Sequence, residues 1–401
     1  MASLAPRTGT LGRRLAAHLL RRATFGPARA EIESFAGLTA GQAVDQLLNF
    51  PPIPAHPVDP QTGLTWVVNG RGPANSSNDQ LKYIVNSWWL HQIFDPALPL
   101  SIAPKLNFFL HTSFTTSLRD IDYNENFYYT LRLFMHYAAG SYKELAYKIC
   151  LDGGMSNYLD IGESIAGNPN QNFAREFLEL FTVGKGPQIG PGDYTNYTEQ
   201  DVMEAARLLT GFRRNDNWAD PLNWDPDTGL PRAIPDISRH DTGNKTFSAA
   251  FQNTTVTGRT IQAEMFVDMI FAQDATAVTI CRRLYRFFVR YKISAEVEQD
   301  IIQPLAASLR NNNYEIVEAV RQLLRSEHFY DDDDADLTDE TVGALIKSPL
   351  ELQAGIIRYF GVPIPDPQAN SFHAYITFYR WGVQSLLSKA CFDLFAPPDV
   401  A

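Results

Sequence analysis

The sequence predicts an all-α fold, a single large multi-helix domain over residues 1–401 with a small β-hairpin in an irregular insertion at 213–260. Three observations predict it. Apolar residues recur at helical spacing along most of the chain. Two proline-rich stretches, 51–60 and 213–260, interrupt that pattern and have little helix potential of their own. A hydrophobic fraction of 45% against 20% charged residues is that of a globular chain with a sizeable core.

The elements follow in order. Helices are expected at 13–22, 28–37 and 39–49, with Pro27 and Thr39 placed to start the latter two. Residues 1–50 are expected to pack on the main body, because Leu15, Leu19, Phe25, Ile32, Phe35, Val44, Leu47 and Leu48 need a cover that so short a segment lacks. After the proline loop come helices at 79–94, 99–113, 125–138 and 142–151. Helices 170–183 and 199–209 each run into a threonine and a nearby glycine, Thr182 before Gly184 and Thr210 before Gly211. Glycine suits the left-handed position that closes a helix. Thr198 with Asp201 fits a capping-box start. Within 213–260, strands are expected near 233–238 and 245–251. Helices resume at 261–273, 275–289, 295–311 and 316–326. An acidic loop at 331–334 and helices at 345–360 and 375–395 complete the chain.

Composition excludes several classes. A net charge of −11 argues against a nucleic-acid partner, which would be held by Lys and Arg on phosphates. Cys150, Cys281 and Cys391 lie far apart in apolar surroundings, which reads as buried free thiols rather than a zinc site. No stretch reaches the roughly 18 apolar residues of a membrane span, so the chain is expected to be soluble, without a transmembrane segment. Arg13-Arg14 and Arg21-Arg22 enclose only residues 15–20, too short an apolar run for a signal peptide, and localisation stays open. Neither a Gly-x-Ser-x-Gly elbow nor an HExxH helix occurs. No cofactor and no metal ion are expected.

The candidate chemistry lies in the middle of the chain. At about 100° per residue, Asn172, Arg175, Glu176 and Glu179 share one narrow arc of an otherwise apolar helix. Gln200, Glu204 and Arg207 do the same on the next. One reading is an interhelical ion-pair network of Arg175, Glu176, Glu204 and Arg207, structural in role. The other gathers Glu176 and Glu204 with His240, Asp241 and Lys245 as catalytic candidates, and Asn172, Arg175 and Arg207 as substrate-binding candidates. A carboxylate beside Arg can act as a base, His beside Asp as an oriented acid or base, and Lys245 can hold an anionic group. Gly243 and Asn244 suit a tight turn that Asp241 would cap. Gly243-Asn244-Lys245-Thr246 looks like the end of a phosphate-binding loop but lacks the preceding Gly and the strand–loop–helix context. Asn223, Asp225, Asp227 and Gly229 look like a calcium loop with its Gly one place late and no closing Glu. His91, His111 and His136, in aromatic helical segments, read as hydrogen-bonded, half-buried side chains.

Seven ordered motifs are spread along nearly the whole chain. They are His18-Leu-Leu-Arg-Arg-Ala-Thr-Phe-Gly-Pro27, His111-Thr-Ser-Phe-Thr-Thr-Ser117, Asn172-Phe-Ala-Arg-Glu-Phe-Leu-Glu-Leu-Phe-Thr-Val-Gly184, Tyr197-Thr-Glu-Gln-Asp-Val-Met-Glu-Ala-Ala-Arg-Leu-Leu-Thr-Gly211, His240-Asp-Thr-Gly-Asn-Lys-Thr-Phe247, Lys347-Ser-Pro-Leu-Glu-Leu352 and Phe395-Ala-Pro-Pro-Asp-Val400. In that order the chain resembles the bacterial domain-of-unknown-function family numbered eighteen hundred. The resemblance implies a mostly helical bacterial protein, often exported, and often encoded beside a secreted protein similar to alkaline phosphatases and sulfatases, a candidate partner. The family commonly has a Trp and a second His where this chain has Leu110-His111-Thr112-Ser113, which weakens a metal role there. It also usually continues past Pro-Pro with Gly-Trp and more helix, so a shortened chain is expected. Two functions follow as expectations. One is an enzyme of hydrolytic or transfer chemistry on a polar or anionic substrate, using a Glu/Arg/His/Lys cleft. The other is a non-catalytic helical scaffold serving the secreted phosphatase- or sulfatase-like partner.

Overall fold

The computed structural model describes residues 2–67, 74–215, 218, 220–258, 260–333 and 340–396. Asp334 of the acidic loop, residues 397–400 of the last motif, and residues 216, 217, 219 and 259 of the insertion lie outside them. The protein is 53% helical, with three small two-stranded sheets among the described residues, a mostly α fold with small β insertions.

In chain order the helices are α1 (Gly12–Ala23), α2 (Arg29–Phe35), α3 (Ala40–Leu47), α4 (Asn78–Phe94), α5 (Ala103–Ser113), α6 (Asn124–Tyr137), α7 (Tyr142–Ile149), α8 (Gly153–Tyr158), α9 (Gln171–Glu176), α10 (Glu199–Leu208), α11 (Ala263–Phe271), α12 (Asp274–Phe288), α13 (Ala295–Val297), α14 (Gln303–Asn311), α15 (Ile316–Arg325), α16 (Pro349–Tyr359) and α17 (Ser385–Lys389). Wider π-helical turns continue α9 over Phe177–Phe181, join α13 to α14 over Glu298–Ile302, and precede α17 over Phe372–Gln384. Helix starts follow local chemistry. Thr39 and Gln42 form a reciprocal capping box on α3, as Thr198 and Asp201 do on α10. Gly184 and Gly211 take the left-handed conformations expected of them, at φ 74° and 92°.

The expected hairpin is built differently. Segments 233–238 and 245–251 do not pair with each other among the described residues. Strand β1 (Gln188–Gly190) pairs with β2 (Asp193–Tyr194), β3 (Phe212–Arg213) with β4 (Ile234–Pro235), and β5 (Lys245–Thr246) with β6 (Thr255–Val256), all antiparallel. Each ladder is two or three residues long, so its partner is chosen by where the surrounding chain is anchored rather than by strand propensity.

Two compact units make up the chain. The first comprises Met1–Phe109, Cys281–Leu309 and Glu315–Ala401. In it α4 is flanked by the 372–384 turns, where Ser87 Oγ donates to Tyr375 O over 3.0 Å and His91 meets Tyr379 OH at 3.0 Å. Helix α3 packs on α15, and His18 Nε2 lies 3.0 Å from Phe329 O. The Lys105 ammonium is buried between the rings of Phe25 and Phe287 and pairs with Glu351. Asp331, Asp332 and Asp333 are structural in the described part of the acidic loop: Asp331 accepts from Thr341 N and Val342 N, Asp332 pairs with Arg7, and Asp333 with His328.

The second unit comprises Leu110–Ile280 and Arg310–Tyr314. Its aromatic core joins Phe114 to Tyr142, Phe177 to Phe266 and Phe266 to Phe247. Helix α8 lies unusually close to α6, because Gly153 and Gly154 leave room for the polar side chains of Asn126 and Thr130. A Cβ on either glycine would stand 2.7 Å from Asn126 Oδ1 or 2.2 Å from Thr130 Oγ1.

Candidate functional site

All eight candidate residues fall in the second unit, and the structure brings five of them together. Helix α10 presents Glu204 and Arg207 on one face, one turn apart. The loop before β5 supplies His240 and Asp241, and β5 itself supplies Lys245. Arg207 holds the centre. Its Nε and Nη2 donate to the two oxygens of Asp241 over 2.9 and 3.1 Å, and its Nη1 donates to Glu204 Oε2 over 2.7 Å. Such bidentate Arg–carboxylate geometry is among the strongest hydrogen-bonded pairings available. Asp241 Oδ1 also accepts from Gly243 N over 2.9 Å, the turn-capping role that the Gly-Asn sequence predicts. Lys245 Nζ donates to the Asp241 carbonyl and lies 3.6 Å from its Oδ1.

The threonine and glycine that end α10 fix the loop. Thr210 Oγ1 donates to Arg207 O over 2.7 Å and accepts from Asp241 N over 2.8 Å. His240 Nδ1 sits 2.8 Å from Thr210 O, so Nδ1 carries the proton and Nε2 is left as an acceptor, with no protein partner among the described residues. Gly211 is required by proximity as well as by its positive φ, since a Cβ there would lie 2.8 Å from His240 Cβ. A Cβ on Gly243 would stand 2.6 Å from Arg207 Nη2.

Electrostatics follow this geometry. The Arg207 guanidinium holds the Asp241 carboxyl below the usual carboxylate range, and Asp241 in turn raises Arg207. Burial lowers Lys245 despite the attraction of Asp241, and burial also lowers His240.

The other three candidates stand apart. Arg175 forms a bidentate pair with Glu199 at 2.5 and 2.8 Å. Glu176 is half-buried without an ion pair among the described residues, and burial followed by the neighbouring Glu179 raises its pKa. Asn172 is exposed. The expected single network of Arg175, Glu176, Glu204 and Arg207 is therefore not formed: Glu204 pairs with Arg207, Arg175 turns to Glu199, and Glu176 stays outside both pairs. The polar arc expected on this helix also ends early, because the π turn at 177–181 holds more residues per turn than the α-helix assumed. Glu179 consequently leaves the expected arc to accept from Tyr197 OH over 2.9 Å and pair with Lys185.

Sequence reasoning did not single out Glu199 or Ser248, and read Thr210 only as a helix end. Asp201, fully buried, accepts from Ser248 N over 2.7 Å and from Ser248 Oγ over 2.6 Å while capping α10. The capping box was the only signal for Asp201, and nothing local signalled Ser248. The calcium-like loop has its own explanation: Lys148 Nζ lies 2.7 Å from both Asp225 Oδ2 and Asp227 Oδ2, an ammonium between two carboxylates. No group of three or more His, Cys, Asp or Glu side chains placed to hold a metal ion occurs among the described residues. No helix among them is long and apolar enough to cross a membrane. In the second unit a cleft of about 390 Å³ is lined by residues including Tyr147, Phe212, Arg232, Gln262 and Glu264; none of the eight candidates lines it.

The fold and this polar cluster define a helical protein with a charged clamp between one helix and the loops that follow it. The chain belongs to the family described as protein of unknown function, DUF1800, which matches residues 18–401. Comparison with curated proteins and with solved structures found no match.

Proposed function

We propose that this protein is a non-catalytic helical scaffold in which the Arg207 cluster clamps α10 to the 236–246 loop. One observation carries this reading. The groups expected to do chemistry are already engaged by their own fold: Asp241 binds Arg207 through both oxygens and Gly243 through one, and Lys245 is 1% exposed. A scaffold of this kind would serve a protein partner. The secreted phosphatase- or sulfatase-like protein implied by the family resemblance is the candidate, and the net charge of −11 disfavours nucleic acid.

A second reading keeps an enzyme of hydrolytic or transfer chemistry on a polar or anionic substrate. His240 favours it, because its Nδ1–H is fixed on Thr210 O and its lowered pKa leaves Nε2 a neutral base at pH 7. Complementation of a host lacking the gene separates the two. The scaffold reading expects His240→Ala to restore function fully. Loss of function in His240→Ala with an unchanged melting curve refutes it in favour of the enzyme.

A further inference from the structure

Helix α16 in the first unit is apolar on two faces. Leu350, Ala354 and Arg358 turn inward, and the Arg358 guanidinium is taken up by Gly26 O, Ile93 O and Glu31 Oε1. On the opposite face Leu352, Ile356, Tyr359 and Phe360 are 52, 49, 45 and 75% exposed. Their spacing of four, seven and eight residues makes one continuous stripe. An exposed apolar stripe of this kind ordinarily marks an interaction surface.

Beside the stripe runs a groove of about 190 Å³, lined by Pro27, Ile32, Ile356, Tyr359 and Phe360, with Gly355 in its wall. The chain approaches α16 closely at this point, and Gly26 is required for it: a Cβ on Gly26 would lie 2.4 Å from Gly355 Cα. Two cations, Arg21 and Lys347, complete the lining. Lys347 Nζ stands 3.4 Å from the place a Gly355 Cβ would take. Both cations are exposed, and neither has a carboxylate partner among the described residues. In a chain with 45 acidic against 34 basic residues, two unpaired cations bordering an exposed apolar stripe run against the general charge pattern.

We propose that this groove docks a segment of a protein partner that presents a carboxylate side chain next to apolar ones. The carboxylate would sit between Arg21 and Lys347, and the apolar side chains along Ile356, Tyr359 and Phe360. Charge complementarity selects the acidic residue, and apolar burial supplies most of the affinity. A short segment fits the concave groove between Ile32 and Ile356 better than a flat anionic bilayer, which could reach only its rim. The inference rests on the scaffold reading for the existence of a partner, but its test does not use that reading.

The probe is a fluorescein-labelled synthetic helical peptide with Leu at positions i, i+4 and i+7 flanked by Glu, titrated against the full chain by anisotropy. A peptide with Lys in place of Glu is the control. The acidic peptide is expected to bind at least about tenfold more tightly than the basic one. Lys347→Glu and Ile356→Asp, both at exposed positions, are each expected to weaken it by about tenfold or more with unchanged melting curves. Equal binding of the two peptides, no binding up to about 1 mM, or indifference to both substitutions overturns the proposal. So does co-sedimentation with phosphatidylglycerol vesicles without peptide binding, or a dimer in sedimentation velocity that Ile356→Asp dissolves. Failure here leaves the His240→Ala complementation result, and with it the scaffold reading, untouched.

Discussion

Asp241→Asn is expected to destabilise the protein by about 2–3 kcal/mol. The substitution keeps the size of the side chain and an acceptor for Gly243 N, so it isolates the charge. It removes the counter-charge from Arg207, at 2.9 and 3.1 Å, and from Lys245, at 3.6 Å. Breaking a buried pair costs about 3–5 kcal/mol, and an exposed pair contributes about 0–1 kcal/mol. The Arg207 and Asp241 side chains are 29% and 16% exposed, which places the cost between those limits. Lys245→Met should behave oppositely. Burial already disfavours the Lys245 ammonium, so an apolar side chain of similar length should lie within about 1 kcal/mol of the natural protein. Urea unfolding with calorimetry measures both. At about 2–4 °C per kcal/mol, Asp241→Asn should melt about 4–12 °C lower. A pH series adds a signature. Because Arg207 depresses Asp241 in the folded state, its stabilisation is present above the unfolded pKa and is lost as pH falls through the lower folded one. The gap between the natural protein and the variant should thus be full at about pH 6 and close below about pH 4. Coincident melting at pH 7, or a gap that ignores pH, would refute the clamp.

Gly154→Ala should lower the unfolding free energy measured in urea by about 1–3 kcal/mol, because its Cβ meets Thr130 Oγ1 at 2.2 Å, whereas Gly167→Ala, with nothing within 4 Å, should be nearly neutral. Burial pushes the Asp152 carboxyl up to about 6, so its protonated form favours folding. Relative to Asp152→Asn, the natural protein should lose stability as pH rises from about 4 to about 6, and a flat difference in a pH-resolved melting series would contradict this. Cys150 and Cys281 are buried as expected, with raised thiol pKa values, but Cys391, expected to be buried too, is exposed just beyond the last helix, so a thiol reagent should label Cys391 alone in the folded protein and all three cysteines in urea. A chain lacking residues 1–50 should melt lower or lose solubility, since α3 would no longer cover its face of α15; an unchanged melting curve would reject that.

Much of the helical architecture was legible because its signals are local. Thr39 and Thr198 marked helix starts, and Gly184 and Gly211 marked ends, since a cap is decided within four residues. Legibility failed where the local rule changed. The period assumed for 170–183 holds only to Glu176, because the π turn that follows rotates Glu179 away. Extended segments were expected near 233–238 and 245–251 and are strands only over 234–235 and 245–246, and their pairings with 212–213 and 255–256 were not legible, as ladders this short carry no register of their own.

By itself the sequence determined the class of fold, the family and a set of charged side chains on apolar helices, because periodicity, capping and motif order are written along the chain. Only the tertiary structure decided which charges meet. Arg207 finds Asp241 across 34 residues and Arg175 finds Glu199 across 24. It also decided that α16 would carry a second, uncovered apolar face beside Arg21 and Lys347. Coulomb and hydrogen-bond energies depend on distances of a few ångströms between segments far apart in sequence, and those distances exist only once the helices have packed.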